Sequence, residues 1–431
     1  MTRNTTPPKP VGVPPTPGGS VPATVLTPSQ GPVDPPARLL ALHGAEQTYA
    51  WGSRTAIPDL LGRPPADGPV AELWLGTHPM APALVEADGA RHPAADLVGP
   101  LPFLLKVLAA DKALSLQVHP DLDQAAAGFE ADEAAGIAVD DPRRRYRDRN
   151  HKPELIVALT PFRALAGVRD PARTLAVVAR FDLPALEAAF RPLAGDPATG
   201  ATAVLRILLT MSPAPAAALV RELVTAAARH SRVSSGGADD LARAADLVGL
   251  LAAAHPGDIG IAAALLLNDV TLRPGEGLFQ PARMLHAYVS GLGIEIMATS
   301  DNVLRGGLTP KHIDVDELLR LVDPTPSGAP VLTPRTISAS PGGLVRGWDV
   351  PVADFALAEA ICTGGGAVPV GRPTVLLAVD GELTIEAATA GGDGAPTDPL
   401  TLRRGAAALV TGPADVTVRG RGRLFLAGRG G

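Results

Sequence analysis

The chain has 431 residues, too long for one ordinary domain, so two or three are expected. Hydrophobic residues make up 46%, which excludes a mostly disordered chain. A net charge of −6 with no basic block argues against a nucleic-acid partner on electrostatic grounds.

Residues 1–37 hold eleven of the 45 prolines, interleaved with Gly, Ser and Thr. Such a segment buries too little apolar surface to offset its ordering entropy, so a disordered tail is expected, with folding starting near Leu39. It also lacks the charged and apolar regions of a secretory signal. From about 70 to 170 the pattern reads as β. Leu114, Leu116 and Val118 alternate with Ser115, Gln117 and His119, and Leu155 to Leu159 is an apolar run of strand length. Residues 171–267 read as an inserted helical block. Asp170-Pro171 supplies a cap and first-turn pair, and Leu219, Val220, Leu223 and Val224 repeat at helical spacing. A loop is expected at Ser234 to Gly237. The longest apolar run, Ile259 to Leu267, falls well short of the ~20 residues of a membrane span. Strand signals return at Asp269 and continue to the end, with a turn expected at Asp380-Gly381 after Val375 to Val379, and another strand at Arg423 to Ala427. The fold class is therefore mainly β with a helical insertion, and many short strands between Gly and Pro suggest jelly-roll barrels.

Cysteine and lysine are scarce. The single cysteine, Cys362, excludes an internal disulfide and any thiolate metal cluster, which suits a reducing, cytoplasmic compartment. Only five lysines occur among many arginines: Lys9, Lys106, Lys112, Lys152 and Lys311. Where a chain otherwise writes its cations as Arg, a lysine marks a place for a compact, titratable ammonium, with Lys152 and Lys311 the first candidates.

Three segments carry candidate chemistry. Gln117 and His119 share one strand face opposite apolar neighbours. In His151-Lys152-Pro153-Glu154, the same parity puts Lys152 and Glu154 on one face as the chain enters an apolar run. Gly275-x5-Pro281-x4-His286 is similar to the second motif of cupins, small barrels that hold a metal inside, although a lone hairpin with a surface His gives the same pattern. Together Gln117, His119, Glu154 and His286 offer two imidazoles, a carboxylate and an amide oxygen. That set suits zinc, and ligand type alone does not separate it from manganese, iron or cobalt. Downstream, Glu295 stands alone among apolar residues, and Arg305 and Lys311 flank a Gly-containing loop as a possible anion clamp.

Several longer runs resemble type I phosphomannose isomerases. They are Tyr49-Ala50-Trp51-Gly52, Ala71 to Pro79, Pro102 to Leu108, Leu114 to Pro120, Asn150 to Leu155, and Met284 to Lys311 with Ser300-Asp301-Asn302 inside it. They follow the family's order over roughly residues 40–320. The resemblance implies two cupin-type barrels and a helical domain. It divides the chain into a catalytic barrel (38–170 and 268–320), a helical insertion (171–267) and a metal-free C-terminal barrel (321–431). It implies one zinc ion on Gln117, His119, Glu154 and His286, a catalytic Arg305, and interconversion of mannose 6-phosphate and fructose 6-phosphate through an enediol. Lys152 and Glu295 are then the candidate bases, and His151 or Asp301 the candidates for assisting ring opening. Arg305 falls to the enediolate charge and Lys311 to the phosphate, or the two exchange roles, and Trp51, Glu72, Lys106 and Ser115 fall to the pocket wall. The implied partner is a small phosphorylated sugar, with no nucleic acid or membrane, in a monomer or homodimer. Two departures stand out. Arg283 replaces the small or amide turn residue before His286, and the match weakens beyond residue 320, where the chain has no His. A cupin that binds sugar phosphate without turnover, and a cupin metal oxygenase or a different sugar-phosphate isomerase, are the competing readings.

Overall fold

The structure, a computed structural model, describes residues 37–230, 239–371, 373–389 and 396–430. The expected tail, up to residue 36, and the Ser234 to Gly237 loop lie outside the described residues. Ala37, the last residue of that expected tail, is buried, and its N–H donates to Thr389 Oγ1.

Two antiparallel strand systems form the body. The first is organised around His286–Ala298, the strand on which the site depends. Its C-terminal half lies between Phe103–Ala110 and Glu154–Ala158, and its N-terminal half between Leu116–Val118 and Phe162–Val168. The strand turns the corner between those two sets at a register shift near Ser290 and at Gly291. Gly291 has φ +128°, and a Cβ there would lie 2.7 Å from the Phe162 ring, so only glycine makes this bend without strain.

Period-two alternation then sorts the side chains. Leu105, Val107 and Ala109, Leu155 and Val157, and Ile294 and Ile296 point outward into a core shared with Val375, Leu377, Leu409 and Phe425 of the C-terminal strands. Their neighbours Lys106, Glu154 and Glu295 point the other way, into the barrel. Register sets Glu295 opposite Lys106 and Met297 opposite Glu154. The hydrophobic contact with the C-terminal half thus fixes which charged residues face inward.

In the second system the long strands Thr374–Thr389 and Ala414–Gly428 pair along most of their length. The first strand of the described chain, Leu39–His43, joins this sheet between Ala407–Val410 and Leu84–Ala87. Conversely, Val331–Leu332 pairs with Gly277–Gln280 in the site-bearing sheet, so hydrogen bonds cross the expected boundary at residue 320 in both directions. The expected turn at Asp380-Gly381 is not a chain reversal. Gly381, at φ +73°, sits just after a register shift between Ala378 and Asp380, and the strand runs on to Thr389. An αL glycine serves a bulge as well as a turn, and local sequence does not separate the two.

Helices run from Pro171 to Ala263 and share a core built from residues such as Leu205, Leu223 and Leu251. No single described helix is long and apolar enough to cross a membrane. Asp170 caps the first helix by accepting from Arg173 N at 2.9 Å, with Pro171 in the first turn. Asp196-Pro197 repeats the device for the Pro197–Leu209 helix. Asp170→Ala is expected to cost about 1 kcal/mol in denaturant unfolding, with the midpoint lower and the slope unchanged.

Candidate metal centre and active-site cleft

His119 follows the Leu116–Val118 strand, Glu154 opens its strand and His286 opens the long central one. Three distant parts of the chain therefore meet at strand ends. The three side chains are buried, and one ligand atom from each lies within 4.8 Å of the others. His119 Nε2 is 3.4 Å from Glu154 Oε1, and His286 Nε2 is 3.3 Å from Glu154 Oε2. Donors at tetrahedral corners around an ion with bonds near 2.1 Å are about 3.4 Å apart, and each imidazole stands at about that distance from one of the two carboxylate oxygens.

The protonation states point the same way. His119 Nδ1 lies 2.7 Å from the Asn302 carbonyl and His286 Nδ1 2.9 Å from the Met284 carbonyl. A carbonyl only accepts, so each Nδ1 carries the proton, and a neutral ring then offers a bare lone pair at Nε2. Burial, reinforced by the Lys152 ammonium, pushes His119 down to about 4 and keeps its ring neutral. Burial pushes the Glu154 carboxyl upward, while the Lys152 ammonium, the largest opposing influence, pulls it down, and the group sits well below the usual carboxylate range. Both Nε2 atoms and Glu154 Oε2 are buried without a hydrogen-bond partner. Two ring nitrogens and a carboxylate oxygen, buried together without a hydrogen-bond partner, fit a divalent cation. Gln117 pairs in register with both His286 and Arg305, which places it beside the cluster.

The cluster opens on a cleft of about 1190 Å³ lined by Trp51, Glu72, Lys106, Ser115, Gln117, Lys152, Glu154, Glu295, Asp301, Arg305 and Lys311. On one wall Lys106 bridges two buried carboxylates, Glu72 at 3.4 Å and Glu295 at 3.1 Å. Trp74 Nε1 also donates to Glu72 (2.8 Å) and the Tyr288 hydroxyl to Glu295 (2.8 Å). Burial raises the Glu295 carboxyl above its ordinary value despite Lys106. Lys152 Nζ donates to Glu154 Oε1 at 2.6 Å. Trp51 stacks on Tyr49 with ring centroids 5.8 Å apart.

Arg305, Lys311 and Arg147 bring positive charge into the cleft, and no carboxylate among the described residues pairs with any of their side chains. Burial and Arg147 lower the Arg305 guanidinium; Arg305, then burial and Arg147, lower Lys311. Mutual repulsion of that kind marks a place ready for an anion.

His151 is not part of the cleft wall. Its Nε2 lies 2.9 Å from Asp354 Oδ2, so the ring turns toward the C-terminal half. Asp301 does line the cleft, with Oδ1 3.4 Å from His78 Nε2, an interaction that holds its carboxyl below the usual range. Arg147 and Tyr288 are cleft residues that sequence reasoning did not select. The Tyr146 to Asn150 run reads as a solvated charged loop, yet Tyr146 is buried and Asp148 accepts hydrogen bonds from Ser300 and Asp301. Alternating charges without periodicity give no sign of such a tie. Arg283 adopts φ +70°, the left-handed conformation that a Gly or Asn takes more readily.

Residues 39–171 match the model of the phosphomannose isomerase type I catalytic domain. The mannose-6-phosphate isomerase of Escherichia coli K12 is 32% identical over 407 residues, covering 88% of this chain and 96% of its own length. The chain belongs to the type I phosphomannose isomerase family. The human mannose-6-phosphate isomerase is 31% identical, covering 85% of this chain and 92% of its own length. A zinc-bound crystal structure of a mannose 6-phosphate isomerase superposes with a TM-score of 0.77 at 31% identity, over 91% of this chain and 99% of that one. The mainly β, cupin-type architecture with a helical insertion is the family's fold.

Because Lys106 is the cation shared by two buried carboxylates, Lys106→Met is expected to cost about 3–5 kcal/mol in denaturant unfolding. Adding Glu72→Gln and Glu295→Gln to that variant is expected to recover part of the loss.

Proposed function

We propose that this chain interconverts mannose 6-phosphate and fructose 6-phosphate with one zinc ion held by His119, Glu154, His286 and Gln117. The observation that carries the reading is the placement of two unlike features on one cleft: converging metal-ligand atoms, and a group of cations with no carboxylate partner among the described residues. A phosphorylated sugar joins them, its phosphate against Arg305, Lys311 and Arg147 and its C1–C2 end toward the cluster. When bound, zinc supplies Lewis-acid stabilisation to oxygen charge that develops during enolisation.

The remaining chemistry falls to the chain's own side chains. A proton must leave C2 and return to C1 on one face, through a cis-enediol. Lys152 and Glu295 both face the cleft. We assign the transfer to Glu295, because burial raises its carboxyl and so makes the carboxylate a stronger base. The Tyr288 hydroxyl and Lys106 hold its two oxygens in place. Lys152, donating to Glu154, orients that ligand and adds positive charge near the sugar oxygens. We assign ring opening to Asp301, steadied by His78: it takes the O1 hydroxyl proton as the C1–O5 bond breaks and returns it to O5, a task for which His151, turned toward Asp354, is out of position. The lone cysteine, Cys362, is buried and unpaired, which supports a reducing cytoplasm as the compartment.

The purified chain, loaded with zinc and given mannose 6-phosphate, is expected to form fructose 6-phosphate. A chelator should abolish turnover and zinc should restore it. No product from the zinc-loaded protein would leave the binding-only reading, and oxygen consumption with bound iron would favour the oxygenase. Glu295→Gln is expected to lower kcat by about 100-fold or more with KM nearly unchanged. A near-normal kcat in that variant, with a collapse in Lys152→Met, would move the base to Lys152.

A further inference from the structure

Asp148 lies in the loop before the Glu154 strand, outside the residues assigned to metal, phosphate or proton transfer. Its carboxylate is the hub of a tie between two loops. Oδ1 accepts from Ser300 Oγ at 2.8 Å, Asn150 N at 2.9 Å and Asn302 Nδ2 at 3.2 Å, while Oδ2 accepts from Asp301 N at 2.7 Å. Asn302, fully buried, fastens the same loops from the other side. Its Nδ2 donates to the carbonyls of Asp148 (2.8 Å) and Asn150 (2.9 Å), and its Oδ1 accepts from Arg147 N at 2.8 Å. The backbone carbonyl of Asn302 is also the acceptor that fixes the proton on His119 Nδ1. One clasp thus sets the residue that orients a metal ligand, the backbone that launches Arg147 toward the cation group, and Asp301 on the cleft wall.

We propose that Asp148 is a positioning residue that holds the metal site and the anion site in one rigid frame, so that losing it weakens both together. The proposal rests on the isomerase reading only for the choice of zinc and phosphate as probes. A hydrogen-bonded partner behind a metal-bound imidazole is commonly worth roughly 10- to 100-fold in metal affinity. Here the partner is a backbone carbonyl, and mutation reaches it only by releasing the loop that carries it. In Asp148→Ala all four acceptor contacts go. Asp148→Asn keeps an oxygen for Ser300 and Asn150 but turns an N–H toward the Asp301 amide, so it should fall between wild type and Ala.

The test measures zinc affinity by competition with a chromophoric chelator and binding of inorganic phosphate by calorimetry, on the full chain, with thermal unfolding of the metal-free forms alongside. Neither readout requires isomerisation, so a failed activity assay and a failed clasp are distinguishable. Asp148→Ala is expected to lose roughly 10- to 100-fold in zinc affinity and several-fold in phosphate affinity, with Asp148→Asn intermediate in both. Should Asp148→Ala fail to fold, Asp148→Asn and Ser300→Ala, which removes one bond, carry the comparison. Variants less stable than wild type but with unchanged zinc and phosphate affinities would overturn the proposal. So would loss of one affinity with the other intact.

Discussion

Two imidazole nitrogens and a carboxylate oxygen face one another inside the barrel, buried and without a hydrogen-bond partner. In water such a meeting is unremarkable. In a buried setting it is repulsive, and each member also carries the cost of an unmet hydrogen bond. The chain has spent considerable structure to hold it. Backbone carbonyls of Asn302 and Met284 occupy the other ring nitrogens, and Lys152 secures one carboxylate oxygen while leaving the second exposed to the cluster. A cation at the centre converts this repulsion into attraction, and the surrounding barrel reads as the frame that keeps the donors from relaxing apart.

That frame depends on the C-terminal half although no described residue there belongs to the metal cluster. Leu105, Val107, Leu155, Val157, Ile294 and Ile296 need a partner surface, and Val375, Leu377 and Phe425 provide it. Because neighbours on a strand point oppositely, sealing one face against the second sheet commits Lys106, Glu154 and Glu295 to the other. A one-residue slip would expose the apolar set and invert the site, so the hydrophobic contact protects the register of the chemistry. The exchange of strands across the midpoint, with Leu39–His43 joining the C-terminal sheet, makes the two halves one construction.

Much of this was legible in the residues themselves. Strict alternation from Leu114 to His119 shows which side chains share a face, and Asp170-Pro171 announces the first helix of the insertion. Features made by distant contacts were not legible. No local pattern tells that Leu39–His43 will pair beside residues 407–410, or that Gly381 serves a bulge inside a continuing strand. The meeting of His119, Glu154 and His286 is made by distant contacts too, although strand-face parity and the cupin-like spacing before His286 already gather them with Gln117 as one candidate ligand set. Asp148 and Arg147 escaped notice because a charged, aperiodic run looks alike whether solvated or tied down by buried Asn302. His151 failed as a cleft residue for a related reason, since its partner Asp354 lies some two hundred residues away.

The most direct measurement is diffraction from crystals of the zinc-loaded chain at wavelengths on either side of the zinc absorption edge. One anomalous peak is predicted, about 2.0–2.2 Å from His119 Nε2, His286 Nε2 and a Glu154 oxygen. Zinc elsewhere, or none near these three side chains in a chain that retains isomerase activity, would contradict the account.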